Sequence, residues 1–206
     1  MIGIGITVAG AIGLILASWR PTPWLAVIAK PVASAGFLVT WMLRRDDSPY
    51  ALAIGWALLL CALGDVLLIP KGAKRSFIAG LVAFLFGHLG LVWAFVLVGV
   101  SPARAGGVAT VLLIPLIVIA RWLLPRVRSS LRAPVFAYMV VITTMVATAA
   151  GAEKLPTVVA PAVVAFYVSD VFVALERFVS PSPWNRTLGL PLYYGATQLL
   201  AWSTGV

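Results

Sequence analysis

The chain has 206 residues, of which 62% are hydrophobic and 10% charged, and it carries a formal net charge of +9. With a mean hydropathy of +1.07 it lies far outside the make-up of a soluble globular domain. The basic residues sit at the ends of the apolar stretches, so the positive charge reflects membrane topology rather than nucleic-acid binding.

A helix crosses a hydrocarbon layer of ~30 Å with roughly 20 apolar residues and satisfies its own backbone hydrogen bonds there. In chain order the apolar stretches predict helices over 2–19, 24–43, 50–70, 77–100, 105–124, 133–150, 156–178 and 187–206. This is an all-α, polytopic integral membrane protein: about eight transmembrane helices in one bundle, and a single domain over 1–206. Pro, Gly, Arg and Lys clusters such as Arg20-Pro21-Thr22-Pro23 mark the joints. The first stretch lacks the basic start of a cleavable signal peptide and reads as a retained span. Cys61, the one cysteine, excludes an intrachain disulfide and any cysteine-based metal cluster. The two halves show no match of the kind that marks a duplicated transporter, and the sequence carries no signal of oligomeric state.

The odd-numbered connections carry ten basic residues, among them Lys71, Lys74, Arg75 and Arg186, against four in the even ones. By the positive-inside rule the odd connections face the cytoplasm, here of a bacterial inner membrane.

Ionisable groups within the spans are Lys30, Asp65, His88 and Asp170; Glu176 and Arg177 lie nearer a helix end and read as a solvated pair. Each intramembrane ionisable group costs at least a few kcal/mol unless paired or wetted, so each is a functional candidate. Counted from the odd-connection ends at ~1.5 Å per residue, Lys30, Asp65, His88, Asp170, Tyr194 and Gln198 fall roughly 8 to 16 Å below one membrane face. Helices running in opposite directions thus bring their polar groups to one level, which implies a polar cavity opening on the cytoplasmic side. Lys30 with Ser34, Tyr167 with Asp170, and Tyr194 with Gln198 each share a helix face by spacing. The bland reading stands beside this one: Lys30 snorkels or pairs with Asp65, His88 packs, and Tyr193, Tyr194 and Gln198 tie helices together.

One histidine and two aspartates lack the spacing of a hydrolytic zinc site, so no metal or other cofactor is expected. No G-x-S-x-G elbow is present. What remains is a pair of carboxylates in a low-dielectric cavity, able to divide into a proton donor and a base, with Lys30 to balance one of them. Such a pair suits acetal or enol ether hydrolysis, where protonation gives an oxocarbenium ion, and equally suits proton-coupled or lipid transport.

Five segments, AKPVASAGFL (29–38), ALGDVLLI (62–69), GLVAFLFGHLG (80–90), YVSDVFVALERF (167–178) and YYGATQLL (193–200), together resemble the YhhN family of eight-span membrane proteins. The resemblance implies a lysoplasmalogenase: an ether hydrolase that cleaves the vinyl ether of a lysophospholipid to a fatty aldehyde and a glycerophospho-base, ethanolamine or choline. It places the motif aspartates on Asp65 and Asp170, the Lys-Pro lysine on Lys30, the fourth-helix histidine on His88 and the last-helix glutamine on Gln198. Leu91 stands where an aromatic residue is expected, and Cys61-Ala62 where a serine is common, which leaves headgroup preference and hydrolysis of another lysolipid open. The expected site lies among helices 2, 3, 4, 7 and 8, with Asp65 and Asp170 catalytic, Lys30, His88, Tyr167, Tyr194 and Gln198 orienting substrate or water, and the phosphate near Lys71, Lys74, Arg75 or Arg186.

Overall fold

The computed structural model describes residues 1–20, 22–70 and 72–205. It contains eight long helices: α1 (Ile2–Trp19), α2 (Pro23–Arg44), α3 (Pro49–Leu67), α4 (Lys74–Leu97), α5 (Pro102–Leu123), α6 (Ser129–Gly151), α7 (Val159–Ala174) and α8 (Pro183–Trp202). Seven of the spans are long and apolar enough to cross a membrane; α8 falls short because it carries Asn185, Arg186, Thr187, Tyr193, Tyr194, Thr197 and Gln198. Lys71, one of the expected phosphate contacts, lies outside the described residues.

Six helices begin one to four residues earlier than the apolar pattern predicts, and three of them, α3, α5 and α8, do so for one reason. Ser48, Ser101 and Ser182 each precede a proline at the first helical position, and each serine hydroxyl accepts a backbone N–H of the first turn. Proline's missing N–H costs nothing there, and the serine satisfies a donor that the helix leaves open. At the other end of α7 the chain widens into a π turn over Leu175–Val179.

Sequential antiparallel pairs, α1 with α2, α3 with α4, α5 with α6 and α7 with α8, are the closest neighbours. The pairs close into a ring in which α2 meets α3, α4 meets α6, α6 meets α7, and α8 lies against α1, α2 and α3; α5 packs outside on α6. The outer surface is apolar, with Trp56, Trp93, Val111 and Ile114 all exposed, as suits a surface whose solvent is hydrocarbon. An integral, multi-pass membrane protein follows from this surface and these spans.

Between helices in lipid, association rests on close packing and hydrogen bonds rather than on a hydrophobic drive. The α1–α2 seam shows how. A Cβ on Gly10 would stand 2.5 Å from the backbone nitrogen of Ala33, so only glycine permits that approach. Thr7 then donates its hydroxyl across the seam to the Ala33 carbonyl at 2.9 Å.

Candidate active site

Asp65 ends the buried face of α3 and is 2% exposed. Lys30 of α2 puts its Nζ 3.2 Å from Asp65 Oδ1. Ser34, one turn further along α2, donates its hydroxyl to Oδ2 at 2.7 Å, and Tyr193 of α8 donates to the same oxygen at 2.8 Å. One oxygen therefore faces a cation and the other takes two hydroxyl donors, which offsets the cost of burying a carboxylate. Gly64 makes room for this cluster, since a Cβ there would lie 2.6 Å from the Phe84 ring, and that ring in turn packs edge-on against Tyr193.

Asp170 of α7 has a different set of neighbours. Tyr138 of α6 donates its hydroxyl to Asp170 Oδ2 at 2.7 Å, and His88 Nε2 of α4 stands 3.7 Å from the same oxygen. No lysine or arginine pairs with Asp170 among the described residues. His88 Nδ1 lies 2.7 Å from the Phe84 carbonyl. A carbonyl only accepts, so hydrogen-bond logic assigns the proton of a neutral imidazole to Nδ1 and leaves the Nε2 lone pair toward Asp170. Nε2 is buried and has no hydrogen-bond partner among the described residues.

The two carboxyl groups share no hydrogen bond; a run of ring edges lies between them. His88 packs on Phe166 with centroids 4.6 Å apart, and Phe166 packs on Tyr193 at 5.3 Å. Tyr193 reaches Asp65 and His88 reaches Asp170, so aromatic contacts connect the two polar clusters through the middle of the bundle.

Lys30, Asp65, His88 and Asp170 thus take part in the two clusters. Tyr194 and Gln198, which share a face by spacing, do not hydrogen-bond either carboxylate. The Tyr194 hydroxyl is buried without a partner among the described residues, and its neighbour Tyr193 makes the bond to Asp65. Gln198 turns its amide nitrogen to the first helix, donating to the Gly3 carbonyl at 3.1 Å and Thr7 Oγ1 at 2.6 Å. The Tyr167 side chain is half-buried against the core, and its hydroxyl makes no hydrogen bond among the described residues. Lys74 and Arg75 are exposed.

Two features were not expected from the sequence. Tyr138 adds α6 to the site; it lies nine positions in from Ser129, within the depth window that singled out the other polar groups, but it is uncharged at neutral pH and has no polar residue three or four positions away to mark its face. Glu176 is not a solvated helix end. Its carboxylate receives Arg186 Nε at 2.9 Å, the Ser182 backbone N–H at 2.8 Å and the Asn185 amide at 3.3 Å, because the π turn swings it toward the start of α8.

Among the described residues no three side chains of His, Cys, Asp or Glu converge as metal ligands. The chain is similar to the protein named lysoplasmalogenase of Mycobacterium bovis, at 32% identity over 70% of this chain and 56% of that one. It thus spans little more than half the length of that relative. It is also similar to human lysoplasmalogenase TMEM86B, at 30% identity over 87% of this chain and 75% of that one, and to bovine lysoplasmalogenase TMEM86A, at 28% over 87% and 72%. No solved structure matches it significantly. The YhhN family profile covers residues 25–204, from α2 to the end of the bundle, and the chain belongs to the YhhN family.

Proposed function

We propose that this protein is a membrane lysoplasmalogenase, hydrolysing the vinyl ether of a lysophospholipid to a fatty aldehyde and a glycerophospho-base. The relatives' names supply the substrate class. The observation that carries the chemistry is the pair of interior carboxyl groups with unlike partners, a cation and two hydroxyls at Asp65 against a tyrosine and an imidazole at Asp170. A reaction that needs a donor and a charge-stabilising base in one site is served by that inequality.

Asp170, with no ammonium or guanidinium against it among the described residues, gives its proton to the vinyl carbon remote from the ether oxygen. The carbon–carbon π pair becomes the new C–H bond, and the oxygen lone pair stabilises the resulting oxocarbenium ion. Asp65, balanced by Lys30, lies on the side of the developing positive charge and takes a proton from the attacking water, giving a hemiacetal. Collapse breaks the bond to the glycerol oxygen: Asp65 protonates the leaving oxygen and Asp170 recovers a proton from the hemiacetal hydroxyl, so the site returns to its starting state. His88 and Tyr138 hold the Asp170 carboxyl for transfer. The substrate enters from the bilayer, with the site nearer the cytoplasmic face.

Aldehyde release from lysoplasmalogens by the purified protein in detergent tests the reading, with Asp65→Asn and Asp170→Asn as variants. Turnover on the ethanolamine or choline substrate, lost by about 10²-fold or more in each folded variant, is expected. Wild-type protein inactive on both substrates overturns the assignment.

A further inference from the structure

At the odd-connection end of the bundle, a cleft of about 340 Å³ opens between the end of α1 and the α7–α8 connection, lined by Trp19, Arg20, Glu176, Ser182 and Arg186 among others. Trp19 and Trp184 stand edge to face there, centroids 5.0 Å apart, and both are at least half exposed. The Trp19 indole N–H is fixed on Thr187 Oγ1 at 3.0 Å. Glu176 is already saturated by the donors named above, and its ion pair with Arg186, at 2.8 Å, holds that guanidinium in place. Arg20 makes no ion pair among the described residues. The cleft therefore keeps one uncompensated positive charge beside the Trp19 indole, against which Trp184 packs.

Those are the two halves of a receptor for a zwitterion: a guanidinium for a phosphodiester, and an aromatic face for an ammonium. Interface anchoring alone explains a tryptophan at a helix end. It does not explain a concave site in which an acid locks one arginine and leaves a second one without a partner.

The position fits the proposed chemistry. Arg186 and Tyr193 are seven positions apart on α8, on one face and two turns distant, about 10 Å, and Tyr193 is bonded to Asp65. That is the order of length of an extended glycerophospho-ethanolamine unit. We propose that this cleft is the headgroup subsite for the lysophospholipid, with Arg20 and Arg186 on the phosphate and Trp19, held by Trp184, on the ammonium. This rests on the hydrolase reading, but it concerns residues outside the two carboxylate clusters. Trp19 and Arg20 also precede the stretch that the family profile covers.

The test uses the full chain in detergent and three probes: an uncleavable O-hexadecyl lysophosphoethanolamine, the corresponding hexadecylglycerol without headgroup, and two-chain phosphatidylethanolamine in nanodiscs. Wild-type protein is expected to bind the headgroup-bearing ether at least about tenfold more tightly than the alkylglycerol. The pair of changes Arg20→Gln and Trp19→Leu is expected to reduce that ratio to about threefold or less with the alkylglycerol affinity unmoved, which also reports an intact fold, and to raise KM for the vinyl ether substrate about tenfold. A variant that keeps the full ratio overturns the subsite. So does a two-chain lipid that competes as well as the lysolipid, since the cleft would then hold bulk membrane lipid. Wild-type protein that shows the headgroup preference but releases no aldehyde refutes the hydrolase reading and leaves the subsite standing; turnover with an unchanged KM in the variant does the reverse.

Discussion

Removing one partner of the Lys30–Asp65 pair is not equivalent to removing the other, and the asymmetry follows from burial. The Asp65 side chain is 3% exposed and the Lys30 side chain 18%. Lys30→Met leaves a carboxylate inside the bundle with only the Ser34 and Tyr193 hydroxyls, a loss expected to cost about 3–5 kcal/mol. Asp65→Asn leaves an amide that still accepts from both hydroxyls and an ammonium whose long stem reaches toward the interface, so about 1–2 kcal/mol is expected. The double variant should resemble Asp65→Asn alone, which makes the coupling as large as the Lys30→Met loss itself, about 3–5 kcal/mol. Cys61 supplies the assay: it is the one cysteine of the chain and 0% exposed, so a thiol-reactive dye reports its release as the protein unfolds in detergent. Equal losses in the two single variants, or a double variant equal to their sum, would refute the reasoning. Aldehyde release measured on the same samples separates roles, because a purely structural pair would let folded Asp65→Asn keep turning over.

Tyr138→Phe deletes the one hydroxyl that donates to Asp170 among the described residues; it should lower kcat about tenfold with little change in KM, read from initial rates of aldehyde release. Gln198→Leu removes the bonds to Gly3 and Thr7 and should cost about 1 kcal/mol of stability while leaving kcat within about twofold; a collapse in kcat instead would return Gln198 to the reacting groups. Gly10→Leu drives a side chain into the Ala33 backbone and should lower the unfolding temperature markedly or abolish folding, whereas Gly5→Leu, with nothing within 4 Å, should be tolerated; the thiol assay ranks the two.

The helices were legible in the sequence because hydrocarbon imposes length and apolarity on each of them, and all eight are found close to where those constraints put them. Several ends shifted by one to four residues, three of them where Ser-Pro pairs at 48, 101 and 182 start a helix before its apolar run does. At the site, depth and charge picked out Lys30, Asp65, His88 and Asp170, since an ionisable group in a span has few places to go. Hydroxyls and amides are cheaper to bury and so carry less information. Adjacent tyrosines at 193 and 194 lie about 100° apart around α8, and only the rotation of that helix against α3 decides which one meets Asp65. Gln198 reaches α1 and Tyr138 reaches Asp170 for the same reason: the order of helices around the ring decides both, and spacing along the chain does not encode it.

The ion pair and the proposed chemistry are often set against each other, as glue against catalysis, yet charge counting joins them here. Lys30 with Asp65 forms a neutral unit, and His88 with its Nδ1 proton on the Phe84 carbonyl is neutral as well. With no lysine or arginine opposite Asp170 among the described residues, the buried set as a whole is neutral only when one proton resides on Asp170 or His88. An uncompensated charge in a low-dielectric interior is costly, so the arrangement that minimises it is also the one that stores a transferable proton beside a lone pair able to receive it. In the proposed reaction Lys30 would act without touching the substrate's reacting carbon: by neutralising Asp65 it would leave the stored proton to the other cluster. Remove the ammonium and Asp65 loses its balancing charge, which erases the difference between the two carboxyl groups on which an acid and a base depend.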